Sequence, residues 1–222
     1  MDNIYCEDFI KTLSEELVCH YSYCSKDDVS GTDWEKIFST CINADWERSL
    51  KFYDLVDHKT SIAWSAKTLK YNSKRDLKKV ELISSRIVTN CKSNDPIQVG
   101  KSILEIWNER VNEVKNQFNG FYTVVLLRSF SLNEFKVFQF ETECYDYNKF
   151  NWIWSDRSTL QAYDNLNQKR FTWQPSGTQF KINKQIPANH LTLNLRLPEK
   201  MTREKILSIL NFNEDMYGYK YG

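Results

Sequence analysis

The sequence predicts an α+β fold in which a mixed central β-sheet is flanked by helices. Three observations predict it: four segments repeat apolar residues with a helical period, several short runs have the composition of β-strands, and one of these runs, 121–130, is nearly continuous in apolar residues. A strand without polar alternation is typical of the buried interior of a sheet. We therefore expect this run to lie at the centre of the sheet.

The predicted helices have recognisable start and stop signals. Ser30 to Asp33 supplies a loop and an N-cap, Asp95-Pro96 opens a helix, and Asn119-Gly120 closes it. After a break, residues 45–51 are expected to continue the second helix. The four helices are predicted over 5–24, 34–42, 95–119 and 202–212.

The predicted strands are separated by turns. A polar turn at 58–60 divides two β-rich runs and predicts a hairpin, and Pro175-Ser176-Gly177 marks a second hairpin turn. The run 80–88 fits either a strand or a short helix. The other strand segments are 52–57, 61–71, 121–130, 134–145, 150–155, 170–174 and 178–182.

The chain length of 222 residues suits one domain, and no repeat or low-complexity segment divides it. We distinguish four parts within that domain. They are a helical part over 1–50, a hairpin and helix over 51–120, strands and loops over 121–190, and a C-terminal strand and helix over 191–222.

The composition excludes several classes of protein. No apolar run reaches the roughly 18 residues that a membrane span needs, and the N-terminus lacks the apolar segment of a signal peptide. Six cysteines without a CxxC pair suit free thiols in a reducing cytoplasm. The chain has only 6 glycines and no glycine-rich phosphate motif, so we expect no nucleotide cofactor.

Charge is distributed unevenly along the chain. The net charge is +1, yet residues 1–57 hold 13 acidic and 5 basic side chains, whereas residues 67–92 hold 8 basic and 2 acidic ones. A basic stretch of this length can neutralise several phosphates. The alternative interpretation is a solvated face without a role in nucleic-acid binding, because most runs of charged residues are simply solvated surface.

The hairpin at 52–70 carries the residues with the clearest chemistry. Pairing about its turn places Asp54 opposite Ser65, and alternation along the strand puts Ser65 and Lys67 on one face. A carboxylate beside a lysine, facing a polyanion, is what metal-assisted phosphodiester cleavage requires. Asp54 is expected to bind Mg²⁺, and Lys67 to orient the attacking water and stabilise charge on the phosphate.

An aspartate, a turn and a strand ending in Ser65-Ala66-Lys67 resemble the D…(D/E)xK hairpin of the PD-(D/E)xK nuclease superfamily. Four segments between about 50 and 185 also resemble, in the same order, segments of a family of type II restriction endonucleases. They are AWSAKTL (63–69), VGKSILEIWNERV (99–111), FKVFQFETECYDY (135–147) and FTWQPSGTQF (171–180). The resemblance implies a restriction-endonuclease-like core with a catalytic hairpin and DNA-recognition loops. It also implies a Mg²⁺-dependent homodimer that cuts both strands of double-stranded DNA at a short recognition site.

Ser65 departs from this pattern, because the second acid of (D/E)xK would stand there and serine is a poor ligand for Mg²⁺. Water could fill the coordination shell, an acid from the preceding helix could supply the charge, or the enzyme could be inactive; we favour the first two together. Glu47 is the preferred acid and Glu35 the alternative. Asp57 competes with Asp54 for the metal, but it lies too near the turn to face Lys67.

Polar and basic side chains elsewhere are predicted to contact DNA. Glutamine can read adenine with two hydrogen bonds, serine or threonine can read either base, and lysine and arginine bind phosphates. The predicted contacts are Gln174, Ser176, Thr178 and Gln179 at the second hairpin, Tyr145, Tyr147, Asn148 and Lys149 in a polar aromatic loop, and Lys70, Lys74, Arg75 and Arg86 after the first hairpin. Lys70 and Arg86 are the preferred phosphate contacts.

These observations together predict a site-specific deoxyribonuclease of a restriction–modification system, a cytoplasmic hydrolase of phosphodiester bonds. Two alternatives are a repair or junction-resolving nuclease of the same superfamily and a non-catalytic DNA-binding protein with a decayed site, which the serine at position 65 supports. A third alternative is a protein whose basic stretch is only a solvated face. A steep salt dependence of DNA affinity would exclude it.

Overall fold

The fold is described from a computed structural model that covers residues 4–23, 28–46, 52–72, 77–129, 131–155 and 158–210. None of the helices in these residues is long and apolar enough to cross a membrane. The helices are α1 (Glu7–Tyr23), α2 (Gly31–Ile42), α3 (Pro96–Gln117) and α4 (Arg203–Ile209). The strands are β1 (Asp45–Trp46), β2 (Leu55–Asp57), β3 (Ile62–Tyr71), β4 (Lys79–Arg86), β5 (Gly120–Ser129), β6 (Glu134–Glu141), β7 (Asn151–Trp154), β8 (Leu160–Tyr163), β9 (Lys169–Gln174), β10 (Gln179–Gln185) and β11 (Leu191–Asn194).

The caps of α2 explain both its start and its end. The Ser30 side chain accepts a hydrogen bond from the Asp33 amide, and Asp33 in turn accepts from the Ser30 amide, which forms a capping box. Asn43 takes a left-handed conformation with φ of 50° and stops the helix. The predicted helical continuation is therefore wrong at residues 45 and 46, which form β1; residues 47–51 lie outside the described residues.

The long helix α3 begins as predicted and ends slightly early. Asp95 is its N-cap and accepts from the Ile97 amide at 3.1 Å, with Pro96 in the first helical position. The helix ends at Gln117, and Asn119 instead donates through its backbone amide to Ser61 in the first hairpin at 2.7 Å. The chain thus passes directly from α3 into β5.

The first sheet is mixed, as predicted. Its strand order is β1-β2-β3-β5-β6-β11, in which β3 and β5 are parallel and the other neighbours are antiparallel. Parallel strands need a crossover, which β4 and α3 supply. The prediction that the apolar run forms a central strand is confirmed, because β5 lies inside the sheet and residues 124–127 are fully buried.

The two faces of this sheet have different partners. Trp64 and Ala66 of β3 pack with α1 and α2 on one face. Ala63 packs with α3 on the other face, and β4 covers the same face further along the sheet. Since side chains alternate along β3, the odd-numbered residues of this strand face α3.

A second sheet lies on the far side of α3. It is antiparallel, with the order β4-β10-β9-β8-β7, and its inner residues pack against α3 in the largest core cluster. Gly100 of α3 meets the ring of Trp152 so closely that a Cβ atom there would lie 2.3–2.7 Å from it. The segment 80–88 forms a strand rather than a helix, and the sequence did not show that these strands make a separate sheet.

Candidate functional site

The β2–β3 hairpin brings its three predicted site residues together. Leu55 pairs with Trp64 across the hairpin, and the Asp54 amide donates to the Trp64 carbonyl at 2.7 Å. Asp54 therefore lies next to Ser65, one step beyond the last strand pair, as the sequence predicts. Ser65 and Lys67 lie on the same face of β3, because side chains alternate along a strand.

The Asp54 carboxylate contacts its neighbours through one oxygen. Asp54 Oδ2 accepts from the Ser65 hydroxyl at 3.1 Å, from the Ala66 amide at 2.7 Å and from Lys67 Nζ at 3.5 Å. Among the residues that the structure describes, Oδ1 makes no hydrogen bond or ion pair. The Asp54 and Lys67 side chains are 25% and 27% exposed, so a substrate can reach both.

Asp54, Ser65 and Lys67 form one wall of a cleft of about 590 Å³. Strand β4 and the C-terminal half of α3 supply the facing walls. Their polar residues are Ser84, Ser85 and Arg86 from β4 and Arg110, Glu113 and Gln117 from α3.

No family model, curated protein or solved structure matches the chain.

Glu113 is a second carboxylate of the cleft, and it was not predicted from the sequence. Arg110, Glu113 and Gln117 are spaced by three and four residues, so they form one polar stripe on α3. Val111 and Val114 on the adjoining stripe are buried in the core. This polar stripe was the available signal, but without the fold it has the same pattern as any solvated helix face.

The position of the missing second acid is not filled by Glu35. Helix α2 packs on the face of β3 that carries Trp64, which is opposite to the face of Ser65. The Glu35 carboxylate accepts from Trp46 Nε1 at 3.0 Å. The structure therefore does not bring Glu35 to the site, and Glu47 lies outside the described residues.

Asp57 serves the hairpin turn. Its carboxylate accepts from the Lys59 amide at 2.9 Å and from the Thr60 hydroxyl at 2.6 Å. Aspartate commonly closes turns in this way. These contacts agree with the expectation that Asp54, not Asp57, lies beside Lys67.

The end of β4 is fastened to α3 beside the cleft. Arg110 Nη1 donates to the Ser85 hydroxyl at 2.6 Å and to the Arg86 carbonyl at 2.9 Å. The Arg110 guanidinium thus holds the strand in place. The Arg86 side chain remains exposed and lines the cleft, where a phosphate contact was predicted.

The β9–β10 hairpin ends next to Arg86. Gln179 pairs with Arg86 on one side and with Gln174 on the other. The Ile87 amide, which directly follows Arg86, donates to the Thr178 carbonyl at 2.7 Å. Gln174 Nε2 donates to the Ser176 hydroxyl at 3.3 Å. The four polar residues predicted to contact DNA therefore lie on one loop that adjoins the cleft.

Lys70 does not belong to the cleft. It lies three residues beyond Lys67, hence on the opposite face of β3, and it forms an ion pair with Asp28 at 2.9 Å. The predicted phosphate contacts Lys74 and Arg75 lie outside the described residues.

The polar aromatic loop after β6 packs against the core instead of lining the cleft. The Tyr145 ring lies 4.8 Å from the Phe171 ring, and Asn108 holds the Tyr145 backbone with two hydrogen bonds of 2.8 Å. Burial raises the pKa of the Tyr145 hydroxyl. Tyr147 also packs on this core, and neither tyrosine lines the cleft, so a contact of either with DNA stays a prediction. Asn148 and Lys149 are exposed, and their contact with DNA stays a prediction.

Proposed function

We propose that this protein is a Mg²⁺-dependent endonuclease that cuts both strands of DNA at a specific site. The observation that carries the proposal is the convergence of Asp54 and Lys67 on one wall of an open cleft, with Arg86 on another. A carboxylate, a lysine and a flanking arginine supply the charges that phosphodiester hydrolysis needs.

The donor set of the cleft fits a magnesium ion. Asp54 Oδ1 is unengaged among the described residues, and Glu113 adds a second carboxylate to the same cleft. The described residues contain no group of three or more His, Cys, Asp or Glu side chains that could hold a metal. Magnesium commonly binds one or two carboxylates and completes its shell with water and substrate phosphates, so two acids are sufficient.

Each residue of the hairpin has a distinct role in this proposal. Bound Mg²⁺ would supply positive charge against the scissile phosphate and acidify a water molecule. Asp54 and Glu113 would hold the ion. Lys67 Nζ lies 3.5 Å from Asp54 Oδ2, so the ammonium group is only weakly held by this carboxylate. Lys67 would orient a water molecule and stabilise charge on the phosphate. Ser65 is a positioning residue, since its hydroxyl donates to Asp54.

The DNA would be read by the loop that adjoins the cleft. Gln174, Ser176, Thr178 and Gln179 offer amides and hydroxyls of the kind that hydrogen-bond to base edges in the major groove. Arg86 stands between this loop and the hairpin and would bind a backbone phosphate. Cutting of both strands at one site suggests a homodimer, because a two-fold axis would present one cleft to each strand.

A plasmid-cleavage assay tests the proposal. Wild-type protein with Mg²⁺ is expected to give discrete fragments from a DNA of known sequence, whose ends identify the site. Lys67→Ala should lower the rate by at least about 100-fold, the usual effect of removing one group that stabilises transition-state charge. Lys59→Ala, in the turn of the same hairpin, is the matched control and should cut normally. Normal cutting by Lys67→Ala would refute the assignment.

A second candidate is a DNA-binding protein without catalysis. It is favoured by Ser65, which is 7% exposed and donates its hydroxyl to Asp54 where a second acid would otherwise stand. Metal-independent DNA binding, with no cleavage by the wild-type protein in Mg²⁺ or Mn²⁺, would select this function. Cleavage of branched DNA without sequence preference would instead select a structure-specific nuclease.

A further inference from the structure

A second cavity, of about 210 Å³, lies at the opposite end of β4 from the cleft. Four cationic and three amide side chains line it, and among the described residues no carboxylate does. The cations are Lys79, Lys169, Arg170 and Lys184. A lining of four cations and three amides, each of which can donate hydrogen bonds, is suited to an anion.

A β-bulge helps to build this cavity. Across the β8–β9 pair, Ala162 faces Phe171 but Tyr163 faces Lys169, so Arg170 is skipped. Bulges re-aim the side chain of the extra residue. Arg170 and Lys184 both line the cavity, which therefore holds two like charges. Burial lowers the pKa of Lys184, Glu143 raises it, and the charge of Arg170 lowers it further.

The cations have only loose acidic partners. Lys169 lies 3.4 Å from Glu81, and Lys184 lies 3.7 Å from Glu143. Arg170 Nη1 lies 3.4 Å from the Asp164 carboxylate. All three distances exceed the roughly 2.7–2.9 Å of a strong charge-assisted hydrogen bond. Each therefore retains donor capacity that its acidic partner does not satisfy.

Two further donors point to a missing acceptor. Asn183 Nδ2 is buried and has no hydrogen-bond partner among the described residues. Lys79 donates to the neutral side chain of Gln168 at 3.2 Å instead of to a carboxylate. A buried amide donor without an acceptor is unfavourable, and an anion in the cavity would supply the acceptor.

We propose that this cavity binds a phosphate group. A phosphate has several acceptor oxygens, pairs with arginine through two parallel hydrogen bonds, and places negative charge between the repelling Arg170 and Lys184. No carboxylate is among the described lining residues, and the nearby Glu81, Asp164 and Glu143 each lie at least 3.4 Å from the cation that they pair with.

The phosphate can come from DNA or from a small molecule. Lys79 at the cavity and Arg86 at the cleft are seven residues apart along β4, which corresponds to about 23 Å at about 3.3 Å per residue. That distance corresponds to roughly seven base pairs of duplex DNA, so DNA bound at the cleft could place a backbone phosphate in the cavity. This source rests on the proposed function, whereas binding of a free phosphate does not.

Thermal melting of the full chain tests for the site. Inorganic phosphate is expected to raise the melting temperature of wild-type protein above that in chloride of equal ionic strength. Arg170→Gln should lose most of this rise. Lys79→Gln should also reduce it, and this exposed position tolerates substitution if Arg170→Gln fails to fold. Lys11→Gln on α1 is the control for the general stabilising effect of phosphate and should match wild type.

DNA binding in Ca²⁺ distinguishes the two sources. If the cavity holds a backbone phosphate, Arg170→Gln should reduce the slope of log affinity against log salt by about 1. If Arg170→Gln leaves this slope unchanged but loses the rise in melting temperature caused by phosphate, the natural ligand is a small phosphate compound. An equal phosphate rise in all four proteins together with an unchanged slope would overturn the proposal. Absence of cleavage by wild type would count against the nuclease and leave this site standing.

Discussion

Asp54 is held by three donors on a single oxygen, whereas Glu113 faces the cleft from an exposed position on α3. The two carboxylates thus differ in how firmly they are placed. In the proposed site, a firmly held acid and an exposed acid would bind the same ion, since Mg²⁺ keeps several water ligands. The exposed acid would then be needed mainly for metal affinity.

Glu113→Gln tests this division. We expect the Mg²⁺ concentration for half-maximal cleavage to rise by about 10-fold or more, because the neutral amide is a weaker ligand than the carboxylate. Glu109→Gln, one turn earlier on the same helix and also exposed, is the control. An unchanged Mg²⁺ requirement in Glu113→Gln would remove this residue from the metal site.

Lys184, one of the cations that line the second cavity, is expected to lower the stability of the fold. Burial lowers its pKa, so its charged form is less favourable in the folded than in the unfolded chain. This penalty is present at neutral pH, begins to shrink as the pH rises through the lowered folded-state pKa, and is gone above the unfolded-state pKa. Lys184→Met is therefore expected to melt at a higher temperature than wild type in chloride buffer at pH 7, with the difference shrinking as the pH becomes alkaline. A lower melting temperature at pH 7 would show that its contacts with Glu143 and Phe140 outweigh burial.

At the scale of elements, α3 connects the two sheets and carries one wall of the cleft. Its position depends on close contact with the second sheet, where Gly100 meets the ring of Trp152. A larger residue at this point would separate the helix from β7. Stability and the shape of the cleft are therefore linked through one glycine.

Gly100→Ala should destabilise the fold. Alanine favours a helix by up to about 1 kcal/mol, but overpacking a tight contact costs about 1–3 kcal/mol. We expect a net loss of about 1–2 kcal/mol and a melting temperature lower by about 2–8 °C. Gly31→Ala is the control, because nothing lies within 4 Å of a Cβ atom there. Equal melting of both variants and wild type would contradict the contact.

The elements also show what the sequence could and could not predict. The turn at 58–61 fixes the register of the first hairpin, so the meeting of Asp54, Ser65 and Lys67 followed from local spacing. The contributions of Arg86 and Glu113 depend on packing between distant segments, which no local pattern records. Lys70 was assigned by its charge and its position close to the hairpin, although its odd spacing from Lys67 already placed it on the other face.

The same limit applies to whole sheets. Strand β4 pairs with β10, which follows about a hundred residues later, so its run of residues could not reveal its partner. The central strand was predictable, because burial on both faces leaves a continuous apolar run in the sequence. The helix starts were predictable because their caps are local.

At the scale of the whole molecule, the proposed homodimer makes a prediction about products. A dimer with one cleft per strand should convert supercoiled plasmid to linear DNA without accumulating nicked circles. Light scattering should give twice the 26.4 kDa mass of the chain. A mass of one chain, with nicked circles as the main product, would show that each cleft acts alone.

The parallel pairing of β3 with β5 has a consequence for the order of folding. The first hairpin closes over a turn of four residues, whereas β3 and β5 are separated by the 48 residues from 72 to 119. Local contacts form faster than distant ones. The strand that carries Lys67 can thus be in place long before α3 brings Glu113 opposite it. A chain still emerging from the ribosome would therefore have only part of the cleft, which would be complete only after β5 has been made and paired.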